Sequence, residues 1–186
     1  LNTPAGKPYL SNEYSQEKAK ADIEMVRDKV DVVIVAMHWG TEYSLGVSAA
    51  QAQEADYLSS IGVDLIIGAH PHVVEPMEYI NDGKTFVIYS LGNFISGQIG
   101  LERLVGGIMK LEIKKTTIGD EVEIEISQSQ FMPTYNYPEG SASDYKLVPL
   151  VDSVQADYFE TVKKLMNNYS SHVEVVDYIT YDEVKK

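Results

Sequence analysis

The 186-residue chain is 44% hydrophobic and 23% charged, ordinary proportions for a folded domain long enough to bury a substantial core. Its 28 acidic and 15 basic residues leave a net charge of −13, which excludes a surface built to neutralise nucleic-acid phosphates or to dock on anionic lipid. With no cysteine, disulfides and thiolate metal sites are excluded, and no run approaches the ~18 apolar residues of a membrane span.

Residues 1–14 are polar, carry two prolines and read as a loop. They contain neither a start methionine nor a signal peptide, so the chain is expected to be a piece of a longer precursor. Ser15 as N-cap, with Glu17 in the first turn, predicts a helix over 15–27 whose face carries Ala19, Ile23, Val26 and Val30. The unbroken apolar run over 31–37 predicts a strand buried on both faces of a parallel sheet. A second helix is predicted over 48–61, with Ala52, Ala55, Leu58 and Ser59 inward and Gly62 near its end. Residues 63–67 predict the next buried strand, completing a βαβ unit. Beyond His72 the character changes. Segments 73–80 and 85–91 flank the turn signal Asn81-Asp82-Gly83-Lys84, and segments 108–117 and 121–131 flank Gly119-Asp120. Both pairs read as hairpins, so antiparallel sheet is expected from 73 onward. A Gly-rich loop over 92–107, an irregular stretch over 135–146, a helix over 155–169 with Tyr158, Val162, Leu165 and Met166 on one face, and an acidic, Tyr-rich strand with a frayed end over 173–184 complete the series. The predicted fold class is mixed α/β.

Chemistry concentrates in the histidines. Of four in the chain, three stand at the exits of the two buried strands: His38 in His38-Trp39-Gly40, and His70 and His72 in Gly68-Ala69-His70-Pro71-His72. Strand exits are where open α/β sheets keep their ligand sites, and neutral imidazole is the commonest transition-metal ligand. Residues i and i+2 of an extended segment point to one side, so His70 and His72 can converge. Pro71 is expected to hold His70 extended, and Gly68 to permit close backbone approach. His38, His70 and His72 are therefore the candidate metal ligands. Glu42, four residues past His38, is open to three roles: a carboxylate orienting a histidine, an exposed group, or a general acid or base. Asn93, in Ser90-Leu91-Gly92-Asn93-Phe94, can hold a turn, cap a helix or contact a ligand. Trp39 reads as packing rather than substrate stacking, and His172 as non-functional. Tyr, Asn and Ser along 129–145 could line a polymer groove. No Gly-x-Ser-x-Gly elbow or phosphate-binding Gly-x-x-x-x-Gly-Lys loop is present.

Three stretches together resemble a known family: Asp-Val-Val-Ile-Val-Ala-Met-His-Trp-Gly-Thr-Glu-Tyr, Gly-Val-Asp-Leu-Ile-Ile-Gly-Ala-His-Pro-His-Val-Val-Glu-Pro-Met-Glu, and Val-Ile-Tyr-Ser-Leu-Gly-Asn-Phe. In this order they resemble the bacterial capsule-synthesis CapA family, also called PgsA-type poly-γ-glutamate biosynthesis proteins, over about residues 15–150. The resemblance implies the calcineurin-like metallophosphatase fold, an αββα sandwich with a dinuclear metal site at strand ends. It divides the chain into a C-terminal half of that domain, 1–150, and a helical, acidic extension, 151–186. It implies that His38 and His70 bind one divalent ion of Mn, Fe or Zn type, that His72 binds the other, and that Glu42 and Asn93 are catalytic candidates at family motif positions.

The carboxylates and the Asn-His pair of that superfamily come from an N-terminal half whose motifs are missing here. The chain alone is therefore expected to hold an incomplete site and to be inactive as a phosphoesterase. The implied partners are the missing half of the domain and an anionic polymer or synthase complex, at the extracellular face of the bacterial membrane. A non-catalytic accessory or scaffold protein binding poly-γ-glutamate or a synthase partner is the alternative.

Overall fold

A computed structural model of the chain describes residues 5–7, 11–138, 144–169 and 172–180. Among the described residues, two four-stranded sheets and four helices make a mixed α/β fold. Helix α1 (Gln16–Val26) starts where the Ser15 side chain accepts from the Lys18 N–H. Strand β1 (Ile34–His38), helix α2 (Ala49–Ser60) and strand β2 (Leu65–Ala69) form the expected βαβ unit, with β1 and β2 parallel and His38 in register with Ala69. At the start of α2 the Ser48 hydroxyl accepts from the Gln51 N–H, and Gln51 Oε1 accepts from the Ser48 N–H at 2.9 Å, a reciprocal cap that pins the first turn.

Strands β3 (Met77–Ile80) and β4 (Thr85–Ile88) form the predicted hairpin around three successive positive-φ residues, Asn81, Asp82 and Gly83. It does not begin a separate antiparallel sheet, however. Strand β4 inserts beside β2 and runs parallel to it, giving one mixed sheet of order β1-β2-β4-β3. The second sheet is built on the long hairpin of β5 (Val105–Ile118) and β6 (Glu121–Pro138), with β7 (Tyr145–Pro149) antiparallel on β6. The two-residue strand β8 (Glu174–Val175) pairs parallel with β6. Between the sheets the chain makes the short helix α3 (Leu101–Leu104) inside the expected Gly-rich loop. Helix α4 (Phe159–Asn167) occupies most of the expected C-terminal helix, preceded by a 3-10 turn over Ala156–Tyr158.

Two hydrophobic clusters hold these layers. The face of the first sheet that meets α1 and α2 contributes Val33, Met37, Trp39, Ile66, Val87 and Tyr89, packed with Ile23, Ala55 and Leu58. The opposite face contributes Leu65, Phe86 and Ile88, which pack with Phe131 and Tyr135 of β6 and with Phe159, Val162 and Met166 of α4. Strands β2 and β4 are thus buried on both faces, as a continuous apolar run demands.

Several expectations need correction. Strand β1, with an equally apolar run, lies at the sheet edge. Met37 is buried, but Ile34 is 53% exposed and Ala36 and His38 are exposed, because burial depends on what neighbours the strand as well as on its own residues. In α1 only Ile23 is buried, and Val26 and Val30 are exposed. Residues 135–138 and 145–146, expected to be irregular, belong to β6 and β7. Ser129, Tyr135 and Asn136 are buried within the second sheet rather than lining a groove. Residues 139–143 and 181–186, on which parts of these expectations fall, lie outside the described residues. Among the described residues no helix is long and apolar enough to cross a membrane.

Candidate metal centre

The site sits where β1 and β2 end. Past the last paired residues the two exits stay zipped together: the Trp39 N–H donates to Ala69 O at 3.0 Å and the Tyr43 N–H to Pro71 O at 2.8 Å. Three side-chain-bearing residues in these loops take positive φ, Tyr43 (66°), His70 (107°) and His72 (61°). Such backbone costs of order 1–3 kcal/mol at each position and clusters at functional sites. His70 is therefore not held extended by Pro71; two left-handed bends, not a pleat, carry both imidazoles to one side.

Glycines make room for this crossing. A Cβ on Gly68 would stand 2.0 Å from Tyr89 O and 2.4 Å from Trp39 Nε1, the two atoms that form the buried 3.0 Å indole hydrogen bond. Trp39 is accordingly a packing residue, stacked on Tyr89 at 5.8 Å.

The ring of His70 lies 4.6 Å from that of His38 and 6.0 Å from that of His72, centroid to centroid. Glu42, His70 and His72 each bring a ligating atom to within 4.8 Å of the others. Two atoms bound to one zinc-type ion at ~2.1 Å can be at most ~4.2 Å apart, so the 4.8 Å set is within a small side-chain adjustment of holding one ion. One carboxylate and two imidazoles suit a Zn-, Mn- or Fe-type ion, leaving positions open for water or substrate. The structure thus places the Glu42 carboxylate among the ligating atoms themselves, whereas the sequence left it as an orienting group, an exposed group or a general acid or base. His38 stands beside this trio against His70. Loss of surrounding water, then the neighbouring His70, lowers the His38 pKa and favours the neutral imidazole a metal needs.

Asn93 lies beneath His72. Its Oδ1 is 3.0 Å from His72 Nδ1, and its Nδ2 faces His72 O, Gln98 Oε1 and Arg103 O at 3.0–3.2 Å. An amide so placed fixes which imidazole nitrogen faces outward, the role of an orienting partner rather than of a reacting group. His172 is remote from this centre, edge-on to Tyr79.

Sequence reasoning missed a buried pair behind the loops. Glu75 and Gln51 are 0% and 1% exposed, and Gln51 Nε2 donates to Glu75 Oε2 at 2.7 Å, while Glu75 Oε1 has no partner. Burial pushes the Glu75 pKa up to about 7. A lone carboxylate within Val73-Val74-Glu75-Pro76-Met77 was the available signal. Gln51 also abuts the loop, since a Cβ on Gly40 (φ 84°) would lie 2.8 Å from its Nε2 and 3.0 Å from Pro71 Cγ.

Comparison with known proteins bears on the same residues. The chain is 37% identical over 97 residues to a PGA biosynthesis protein CapA of Bacillus subtilis (strain 168), covering 52% of this chain and 25% of that one. It is 31% identical over 109 residues to a capsule biosynthesis protein CapA of Bacillus anthracis, covering 58% and 26%. It is 25% identical over 103 residues to a probable polyglutamine synthesis accessory protein of Mycobacterium tuberculosis (strain ATCC 25618 / H37Rv), covering 55% and 27%. The chain thus spans about a quarter of the length of these relatives. The family described as "Bacterial capsule synthesis protein PGA_cap" matches residues 2–98, a stretch that reaches further towards the N-terminus than the motifs did and ends well before residue 150. It includes His38, Glu42, His70, His72 and Asn93, and on this match the chain belongs to the bacterial capsule synthesis protein PGA_cap family.

Proposed function

We propose that this chain serves capsule-polymer synthesis of the poly-γ-glutamate type, through a metallophosphoesterase-like divalent-metal site at the extracellular face of the bacterial membrane. The observation that carries the reading is the convergence of Glu42, His70 and His72 within 4.8 Å on strained, mutually hydrogen-bonded loops. Glu42, His70 and His72 would hold the ion, with His38 against His70 and Asn93 setting the tautomer of His72. A bound ion would supply Lewis acidity and lower the pKa of a coordinated water. The protein's own part is to aim the imidazoles and to leave one side of the cluster open.

The reading is tested by titrating Zn²⁺ and Mn²⁺ into metal-free protein by calorimetry. Saturable binding of one ion per chain, weakened at least ~10-fold by His70→Ala, is expected; absence of saturable binding would overturn it. A non-catalytic accessory role is favoured by a second observation. The Ile34 and Ala36 side of β1 is uncovered at the sheet edge, a surface suited to docking a synthase partner.

A further inference from the structure

The chain contains two arginines, and they are used in opposite ways. Arg27 is tied into the fold: Nη1 donates to Asp64 Oδ2 at 2.6 Å and to Gly62 O, and Nη2 donates to Val30 O and Asp31 O. Arg103, on α3, makes one such bond, from Nη1 to Ile99 O at 3.0 Å. No carboxylate among the described residues lies within ion-pairing distance of it. In a chain of net charge −13, an unpaired guanidinium needs a reason.

Its position supplies one. The Arg103 guanidinium carbon lies 3.7 Å from the centroid of the Tyr43 ring, and that ring lies 6.1 Å from the His72 ring. Stacking on an aromatic face holds a guanidinium flat while leaving its edge donors free. The main chain is fixed as well, because Arg103 O accepts from Asn93 Nδ2, the same amide that contacts His72. Arg103, Tyr43, Asn93 and His72 therefore form one connected assembly, which joins the guanidinium, through the Tyr43 ring and the Asn93 amide, to the candidate ligand His72.

We infer that Arg103 is the anion-recognition residue of this site, binding a carboxylate or phosphate oxyanion presented to the Glu42, His70 and His72 cluster. The inference rests on the proposed function for the neighbouring metal, but the anion contact itself needs only the arginine. A guanidinium offers an oxyanion two parallel donors, and it supplies the local positive charge that offsets long-range repulsion by an acidic protein.

The test uses the full chain, with and without bound Zn²⁺, titrated at low salt with inorganic phosphate and separately with γ-linked triglutamate. Arg103→Gln keeps much of the side chain's length and loses the charge; Arg103→Lys keeps the charge and loses the fork. Arg103→Gln is expected to weaken anion binding at least ~10-fold, and Arg103→Lys by less, with Zn²⁺ affinity unchanged. Loss of the phosphate arm alone would identify a phosphate ligand, and loss of the triglutamate arm alone a carboxylate ligand; either supports the inference. Folded Arg103→Gln that binds both anions as wild type does, or wild type that binds neither, would overturn it. Zn²⁺ binding that fails while the Arg103-dependent anion contact persists would instead overturn the metal reading.

Discussion

Glu75 provides a quantitative test of the packing behind the site. Its carboxyl is fully buried, accepts one hydrogen bond from Gln51 Nε2 and leaves Oε1 without a partner. Burial raises its pKa from 4.5 to about 7. Between those values the folded protein keeps a proton that the unfolded chain has released, so the folded state binds more protons and stability falls as pH rises. At about 1.4 kcal/mol per pH unit the loss reaches ~3 kcal/mol and levels off above pH 7. Glu75→Gln retains an oxygen to accept from Gln51 and cannot ionise. It should match wild type near pH 4 and exceed it by ~3 kcal/mol at pH 8. Urea unfolding followed by the fluorescence of Trp39, the single tryptophan, across pH 4–8 in the presence of chelator measures both curves. Their difference isolates Glu75 from the opposite trend of His38, whose lowered pKa makes stability rise with pH as the unfolded histidine loses its proton. A difference between the two proteins that stays flat within ~0.5 kcal/mol from pH 4 to pH 8 would refute the reasoning, because ionisation of a buried, half-satisfied carboxyl cannot be free of cost.

Other expectations follow from the same geometry. Asn93→Ala removes the orienting contact to His72 and should weaken Zn²⁺ binding ~10–100-fold, read by calorimetry, with wild-type affinity as the contrary result. Gly68→Ala drives a Cβ into Tyr89 O and the Trp39 indole; a loss of at least ~3 kcal/mol or failure to fold is expected in thermal melts. The chain alone should show negligible turnover of an aryl phosphate with Mn²⁺ or Zn²⁺, since one carboxylate and the available histidines do not build a two-metal clamp. Robust turnover abolished by His70→Ala would show that the ligands present are sufficient.

What the sequence determined by itself was local. Ser15 marks its helix start because a cap is a contact between residues three apart. Asn81-Asp82-Gly83 and Gly119-Asp120 mark turns because Asn, Asp and Gly suit tight turns, and Asn81, Asp82, Gly83 and Gly119 take positive φ. The histidines at strand ends were legible because a βαβ unit places both strand exits on one side. Tertiary structure decided the rest. That β4 lies between β2 and β3, and that β1 is an edge, depends on which strands compete for the same ladder, and the apolar runs of β1 and β2 look alike. Glu42 reaches the imidazoles because Tyr43 N bonds to Pro71 O and the loops bend left-handed, a choice made by long-range contacts against the local preference of Tyr43, His70 and His72. Arg103 meets the Asn93 amide and the Tyr43 ring from a segment some thirty residues beyond His72. No spacing rule encodes such a meeting, because it is produced by the packing of elements distant along the chain.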